Sequence, residues 1–540
     1  MFPPRHALHA SHLFKHPIVQ WVLACAALSV IASLTQFTII DDAYISFRHA
    51  YNLSTHGELS FNRGEHVEGM TNLLWTLVLA GSAFCRLFSM ERFAVGASLV
   101  CLIWAALRLV QLARLLRAPT YAGLVACGLL FLTPDFLLAA TSGLEGALFG
   151  ALVLEMVYSY YRRHLRHAFL ATGLLFLTRP ESLALGVLLT GITFHEDRSW
   201  RRLQPGVLLL GSIVIGVTAW RLLYYGNLLP NSLIAKSLPL KAWFGHYGLV
   251  HFKLSAAYVA KFAFINWHFL LVLGLALGAF GRIWKKRAPA RRLFALCLSV
   301  LTFSFLIILG NGGDWMPHSR LILYYGTLYS VLLLILMAER LAPAWVIALV
   351  IAYPFIQSRE TTLHSLPRPF SLSIDPGPDT FDGTLAERLR PYLEPNDVLS
   401  AEALGYIFYH LPENYVHDPI GLANKYLARH GTPSVTFGKY DPTYTVGVIR
   451  PSILVWHYEA HLRGVPQNLL DQYQTFCAED CGLPSADIVM IRRDCAARFE
   501  PLFEGWQAVR LTTDGKEEPV ADQRTVKPEE RPSLRSSILW

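Results

Sequence analysis

Long apolar runs separated by short polar breaks fill the first 350 or so residues. Windows of the length that crosses a bilayer, roughly 17 to 25 residues, begin near Ile18, Thr71, Phe93, Tyr121, Gly143, Leu208, Phe262, Leu293, Leu321 and Leu341. Between Phe169 and Phe194 two shorter runs meet at Arg179-Pro180-Glu181, which predicts a tight helical hairpin. The leading run continues to Ile40 and outlasts a signal-peptide core. The loose lipoprotein-like box Val22-Leu23-Ala24-Cys25 therefore reads as part of an uncleaved anchor. After Pro367 the pattern changes: strand-like runs at Val398 to Ser400, Ile453 to Trp456 and Ile488 to Ile491 alternate with helical stretches at Leu404 to His410 and Leu422 to His430. From Thr512 the chain is rich in Lys, Glu, Asp, Pro and Ser, a composition that cannot bury enough apolar surface to fold.

These patterns predict a polytopic α-helical membrane domain over 1–356 with its first outer loop at 41–70, a small α/β domain over 357–511, and a disordered tail over 512–540. Composition agrees: 53% of the 540 residues are hydrophobic, only 16% are charged, and mean hydropathy is +0.36. A net charge of +8 raises the question of nucleic acid. The basic residues, however, gather in short loops at Arg162 to Arg166, Arg198 to Arg202 and Arg282 to Arg292, as cytoplasmic loops do. Zinc spacings, RNA-binding aromatic patterns and glycine-rich phosphate loops are all missing from the sequence. Neither nucleic acid nor a nucleotide-dependent reaction is expected.

Placing those basic loops inside puts Thr141 to Glu145, Arg179 to Glu181, Tyr225 to Lys261, Gly310 to Arg320 and the α/β domain outside, and Arg5 and Lys15, which keep the N-terminus inside, put Asp41 and Asp42 outside as well. Four full windows between Thr71 and Tyr160 break the required parity. Either Asn72 to Phe88 or the stretch around Pro134 should lie in the interface or only dip in, leaving about 11 crossings. Of the eight cysteines, Cys25, Cys85, Cys101, Cys127 and Cys297 fall in apolar spans. Cys477, Cys481 and Cys495 fall in the outer domain, where one disulfide of undetermined pairing is expected.

The chemistry begins at Ile39-Ile40-Asp41-Asp42, where two carboxylates end the first span. Charge at that depth is costly and marks a site facing lipid and water together. A transferase working outside the cell without nucleotides needs a donor already activated in the membrane, and a sugar on a polyprenyl phosphate meets that need. Its phosphate leaves without a general acid once cations neutralise it, so the protein must supply one base and positive charge. Asp41 or Asp42 fits the base; Arg48, Lys236, His318 and Arg320 fit the phosphate.

The segment DDAYISFRHAYNLSTHGELSFNRGEHVEGMTNLLW resembles the first outer loop of GT-C superfamily glycosyltransferases, in the branch containing the mycobacterial terminal β-arabinofuranosyltransferase. That branch carries an Asp-Asp pair, F-R-Y-A, N-P-G-E-x-V-E-G and T-N-F-L-W. Downstream, Ser142-Gly143-Leu144-Glu145 resembles its S-G-L-E-T and Thr178-Arg179-Pro180-Glu181 its T-R-P-E-G. Tyr224-Tyr225-Gly226 through Pro230-Asn231-Ser232 to Lys236 resembles its Y-Y-G…P-N-T…K. Gly312-Gly313-Asp314-Trp315-Met316-Pro317 with Arg320 resembles G-G-D-W-M-P…R, and Asp418-Pro419-Ile420-Gly421-Leu422 its D-x-x-G-L. The order holds from Asp41 to His430. His49, Arg63, Met70, Gly146 and His318 depart from the pattern around the acids and cations.

The resemblance implies a GT-C fold with its catalytic Asp in the first outer loop and a decaprenyl or related polyprenyl phosphate donor, suggesting D-arabinofuranose. It also implies inversion at the anomeric carbon and an outer domain that helps bind an envelope glycan, glycolipid or exported protein. The location implied is the bacterial cytoplasmic (inner) membrane. Each residue also has a plainer reading. Asp41 and Asp42 could end a helix, Arg179 and Glu181 could pair to close the hairpin, and Glu145 could favour a helix N-terminus. Glu68 holds its glycine turn or touches substrate. Lys236 and Arg320 could snorkel, but beside Asn231 and Asp314 they suit sugar or phosphate. Trp315 stacks on a sugar or sits in an aromatic belt, and a lone His318 suits a structural role. Asp418 and Gly421 suit turn-building. The two Asp could share a divalent cation with water; no third ligand stands out, so no cofactor is assigned. A lipid or glycan transporter and a glycan receptor remain the competing classes.

Overall fold

The computed structural model describes residues 39–85, 89–237, 244, 246–285, 288–313, 320–350, 352, 381–433, 438–456, 462–477, 488–503, 507–513 and 517–519. The first part is helical: α1 (Asp41–His56), α2 (Leu73–Cys85), α3 (Met90–Leu115), α4 (Ala122–Phe131), α5 (Pro134–Thr141), α6 (Gly146–Tyr161), α7 (Leu165–Thr178) and α8 (Leu183–Asp197). Next come α9 (Trp200–Tyr225), α10 (Asn231–Lys236), α11 (His246–Ile265), α12 (Trp267–Gly278), α13 (Phe280–Trp284), α14 (Ala288–Asn311), α15 (Arg320–Leu323) and α16 (Gly326–Ala338).

Among the described residues four helices are long and apolar enough to cross a membrane: Met90–Leu115, Trp200–Tyr225, Gly248–Ile265 and Pro289–Gly310. A fifth candidate is the pair α4 and α5, bent by 73°. Pro134 opens α5 at the bend, where its missing N–H is tolerated. The anchor near Ile18 lies outside the described residues, apart from its last two positions. At Arg179-Pro180-Glu181 a short 3₁₀ turn joins α7 to α8, and Gly186 comes back beside Thr172. One stretch differs from expectation: much of the supposed loop between Tyr225 and Lys261 is helix α11. Exposed Lys253 and Lys261 interrupt its apolar run, leaving it the least apolar of the four spans.

Helix α16 is apolar on every side and buried from Gly326 to Met337, as a central core helix must be. It packs on α3, α4, α6, α12 and α14. Close approach elsewhere depends on glycine: Gly206 of α9 leaves the space that the Phe169 ring of α7 fills.

Beyond α17 (Phe381–Leu389) the chain forms an α/β unit. Its strands are β1 (Val398–Ala401), β2 (Tyr415–His417), β3 (Thr432–Pro433), β4 (Lys439–Tyr440), β5 (Ile453–Trp456), β6 (Tyr473–Cys477), β7 (Ile488–Arg492), β8 (Gln507–Leu511) and β9 (Glu517–Pro519). Seven make one mixed sheet in the order β2-β1-β5-β7-β6-β8-β9, with β1 parallel to β2 and β5 and the other pairs antiparallel; β3 and β4 form a separate ribbon. Alternation sends Ile453, Val455, Val489 and Ile491 to one apolar cluster, and Leu454, Ile488 and Met490 to another on the opposite face. The first cluster also contains Ile45, Phe61 and Ala235, so this face of the sheet sits on α1, the 41–70 loop and α10. Cys495 is a free, half-buried thiol, which removes it from the expected disulfide. The Cys477 side chain and Cys481 lie outside the described residues, as does the tail from 520.

Candidate active site

Helix α1 begins where two carboxylates fall in its first turn, favourable against the exposed N–H groups there. The two part ways. Asp41 accepts backbone N–H bonds from Gly405 (3.0 Å, Oδ2) and Tyr406 (2.7 Å, Oδ1), at the start of α18 (Tyr406–Tyr409) in the α/β unit. No side chain fits at 405, because a Cβ there would overlap the Asp41 carbonyl. Asp42 faces the other way, its Oδ2 3.3 Å from Arg320 Nη2, with 20% of its side chain exposed against 10% for the arginine. Tyr44, Tyr406, Tyr409 and His410 pack as an aromatic group beside this end of α1.

The S-G-L-E turn lies against the start of α1, beside the two acids' neighbours Ile39, Ile40 and Ala43. Ile40 N–H bonds to Ser142 carbonyl at 3.2 Å, and Trp75 Nε1 bonds to Gly143 carbonyl at 2.9 Å. Gly143 has φ +86°, and a Cβ on it would stand 2.9 Å from that of Ala43. Position 143 is therefore glycine for both backbone and space. Glu145, 2% exposed, closes a network: Oε2 accepts from Asn72 Nδ2 (2.7 Å), while Oε1 meets Arg179 Nη1 (2.9 Å) and Tyr324 hydroxyl (3.4 Å). Asn72 in turn accepts from Ser46 hydroxyl at 3.0 Å. Arg179 Nε bonds Glu181 at 2.5 Å, and its guanidinium lies 5.3 Å from the Tyr324 ring centre.

The short helix α15 joins both groups. Arg320 in the helix reaches Asp42, and Tyr324, just past its last residue with its N–H on the Arg320 carbonyl at 2.8 Å, reaches Glu145. Position 146 leaves no room for a side chain: a Cβ there would stand 2.7 Å from both the Ala139 carbonyl oxygen and the Tyr324 ring.

Other predicted residues go elsewhere. Arg48 is 2% exposed and donates to the carbonyls of Phe61 (2.8 Å), Leu411 (3.3 Å), Asn414 (3.0 Å) and Phe408, which ties the loop to the α/β unit instead of leaving a cation facing the acids. Burial lowers its pKa to about 10, against the opposing pull of Glu413. Glu68 pairs with Arg221 at 2.9 Å, both nearly inaccessible. Burial pushes the Glu68 carboxyl up while the guanidinium opposes.

Asn231 Nδ2 donates to the carbonyls of Gly421 (3.0 Å), Leu422 (2.9 Å) and Asn424 (3.3 Å). Asp418 organises that turn by accepting from Ile420, Gly421 and Ala423, and burial raises its carboxyl to about 6. Lys236 ends α10 exposed. Asp314, Trp315 and His318 lie outside the described residues.

The structure thus brings together Asp42, Arg320, Glu145, Arg179 and Glu181 around the end of α1, and gives Arg48, Glu68 and Asn231 to the junction with the α/β unit. That junction also contains Asn62, which both donates to Val416 carbonyl (2.7 Å) and accepts its N–H (3.1 Å) at the sheet edge. Lys425 and Lys439 add bonds to the carbonyls of Tyr225 and Ile234. Sequence reasoning missed Asn72, Tyr324 and Arg221. The first stood inside a matched motif, Arg221 is a polar interruption of the apolar helix α9, and Tyr324 stands in the turn after α15. Among the described residues no group of three His, Cys, Asp or Glu side chains gathers as metal ligands do.

Comparison with known proteins gives one clear likeness. A terminal beta-(1->2)-arabinofuranosyltransferase of Mycobacterium tuberculosis is 29% identical over 242 residues, 41% of this chain. The match spans 38% of that relative. The motif-based resemblance to this branch of GT-C enzymes is borne out by that match. Two crystal structures of ArnT from Cupriavidus metallidurans, apo and bound to undecaprenyl phosphate, align with 88% of this chain and 97% of theirs. They do so at 13% and 12% identity, with TM-scores of 0.44 and 0.42. No family model matches the chain.

Proposed function

We propose that the protein is an inverting membrane glycosyltransferase. It moves a sugar, D-arabinofuranose by its likeness to the mycobacterial enzyme, from a polyprenyl phosphate to a hydroxyl of an envelope glycan, glycolipid or exported protein. The reaction takes place on the extracytoplasmic side of the bacterial cytoplasmic membrane, where the α/β unit covers the site. One observation carries the reading: Asp42 and Arg320 form a partly accessible acid–cation pair at 3.3 Å where the helical part meets the α/β unit.

In this mechanism Asp42 takes the proton of the acceptor hydroxyl. The acceptor oxygen forms its bond to the anomeric carbon on the face opposite the phosphate. The bond from that carbon to the phosphate oxygen breaks, and the electron pair leaves with the polyprenyl phosphate. Arg320 holds the departing anion, a cation placed where negative charge develops. Asp41, already accepting two N–H bonds, fixes the α/β unit and is the poorer base. Arg179, held between Glu145 and Glu181, is balanced by carboxylates and suits hydroxyl recognition better than phosphate.

A transporter reading has one observation in its favour. Two helix breaks, at Thr133 and Asn266, meet through Asn266 Nδ2 to Asp135 (2.9 Å) and Thr133 hydroxyl to His268 (3.0 Å), all buried, and transporters place polar breaks deep in this way. The deciding experiment incubates the purified protein in nanodiscs with synthetic polyprenyl phosphate arabinofuranose, mannose or aminoarabinose and candidate acceptors. Mass spectrometry reads donor consumption and product linkage. Consumption of one donor, abolished by Asp42→Asn, supports transfer. If every donor is recovered intact with every acceptor, the transferase reading fails.

A further inference from the structure

Helix α11 bears His251, Ser255 and Tyr258 on one stripe, at the spacing of successive turns. Each contacts the end of α14 or the glycine turn just beyond it. Ser255 donates to the carbonyls of Ile308 (2.9 Å) and Leu309 (3.3 Å). The His251 ring stands where a side chain at Gly312 would go, its Nδ1 2.7 Å from the Cβ that an alanine would carry. Tyr258 does the same at Gly313, its Cβ and Cγ 2.9 and 3.0 Å from that point. Both glycines have left-handed backbones, φ +79° and +83°, so the chain turns sharply against this stripe. The Tyr258 hydroxyl then accepts the backbone N–H of Leu321 at 3.1 Å.

That amide follows Arg320 directly within α15, and the hydroxyl that accepts it ties this backbone to α11. The tyrosine, 8% exposed, therefore clamps the backbone on which the Arg320 guanidinium swings. From this helix Arg320 reaches Asp42, and from the turn that follows it Tyr324 reaches Glu145. A shift of this backbone would carry the cation away from both the base and the phosphate. Catalytic geometry is sensitive to displacements of this size.

We infer that Tyr258 is a positioning residue that holds Arg320 in register for the lipid phosphate through the Leu321 amide. The inference rests on the proposed role of Arg320 as phosphate holder. It places a determinant of donor binding on α11, outside every motif recognised in the sequence.

The test uses the full chain in nanodiscs, with binding of polyprenyl monophosphate and of the uncharged polyprenol followed by native mass spectrometry. Tyr258→Phe removes one oxygen and keeps the ring against Gly313. It should weaken polyprenyl monophosphate about tenfold, the scale of one buried hydrogen bond, and leave polyprenol unchanged. Tyr258→Gln, which supplies an acceptor oxygen again, should recover part of the loss. In an Arg320→Ala background Tyr258→Phe should add nothing, since the residue acts through that arginine. Equal loss of both lipids in Tyr258→Phe would indicate a general packing role and overturn the inference. Wild-type phosphate binding in Tyr258→Phe, with loss in Arg320→Ala, would overturn it while leaving the functional reading intact. Wild-type binding in Arg320→Ala would overturn both.

Discussion

Replacing each acid of the Asp41-Asp42 pair by asparagine separates chemistry from architecture. In Asp42→Asn the side chain keeps its size but has no basic oxygen for the acceptor proton. Removing a general base typically slows turnover about 10² to 10⁴-fold, or ~3 to 5 kcal/mol on the barrier. Donor binding should persist, because Arg320 keeps its charge when the Asp42 carboxylate is neutralised. Asp41→Asn acts differently. Its carboxylate holds two N–H groups of the α/β unit, whereas an amide has one accepting oxygen and turns its own NH₂ toward a donor. Hydrogen bonds to charged groups are worth ~1.5 to 3 kcal/mol each, so losing one loosens the contact by about 2 kcal/mol. Faster amide exchange at Gly405 and Tyr406 should report this, with a modest fall in rate. The assay is single-turnover transfer from the preferred polyprenyl phosphate donor, paired with hydrogen–deuterium exchange. Turnover by Asp42→Asn within tenfold of wild type would refute the reasoning. So would a deeper loss in Asp41→Asn with the Gly405 and Tyr406 amides still protected, which would assign the base to Asp41.

Three further outcomes are expected. Glu68→Gln leaves the buried Arg221 cation without its counter-charge and should cost ~3 to 5 kcal/mol of stability. Thermal unfolding followed by fluorescence in detergent reads this, and a loss under about 1 kcal/mol would mean that the pair behaves like an exposed one. His49 is buried, with Nδ1 on Ile45 carbonyl and Nε2 on Gly69 N–H, and burial lowers it from 6.5 to about 4. The unfolded chain thus takes up a proton where the folded chain does not. Its stabilising contribution is complete above about pH 6.5 and declines as pH falls toward 4, by up to ~3 kcal/mol. His417, lowered to about 3 by burial, acts in the same sense, so His49→Gln should reduce the acid sensitivity measured by pH-dependent melting without abolishing it. Gly146→Thr, which puts a Cβ within 2.7 Å of the Tyr324 ring and of the Ala139 carbonyl, should displace Tyr324 from Glu145 and slow transfer. Adding Tyr324→Ala removes the ring contact but not the carbonyl one and should recover part of the rate; strictly additive effects would argue against the ring clash.

The sequence alone was enough for the helical membrane character, since apolar windows follow from composition and length without any knowledge of neighbours. The motif order likewise located Asp41, Asp42, Glu145, Arg179, Glu181 and Arg320 before their geometry was visible. Helix α11 escaped because Lys253 and Lys261 weaken a hydropathy window even when they sit on an exposed face. Which acid is engaged, and by what, depended on tertiary structure. Asp41 and Asp42 are adjacent in a helix turn, yet successive residues point about 100° apart, one to Gly405 and Tyr406 and the other to Arg320. Arg48, Glu68 and Asn231 look like ligands in the chain, but folding brings carbonyls or Arg221 against them from positions far away in sequence. Partners of that kind leave no local pattern, because burial and hydrogen-bond satisfaction are decided by what the fold delivers to each side chain.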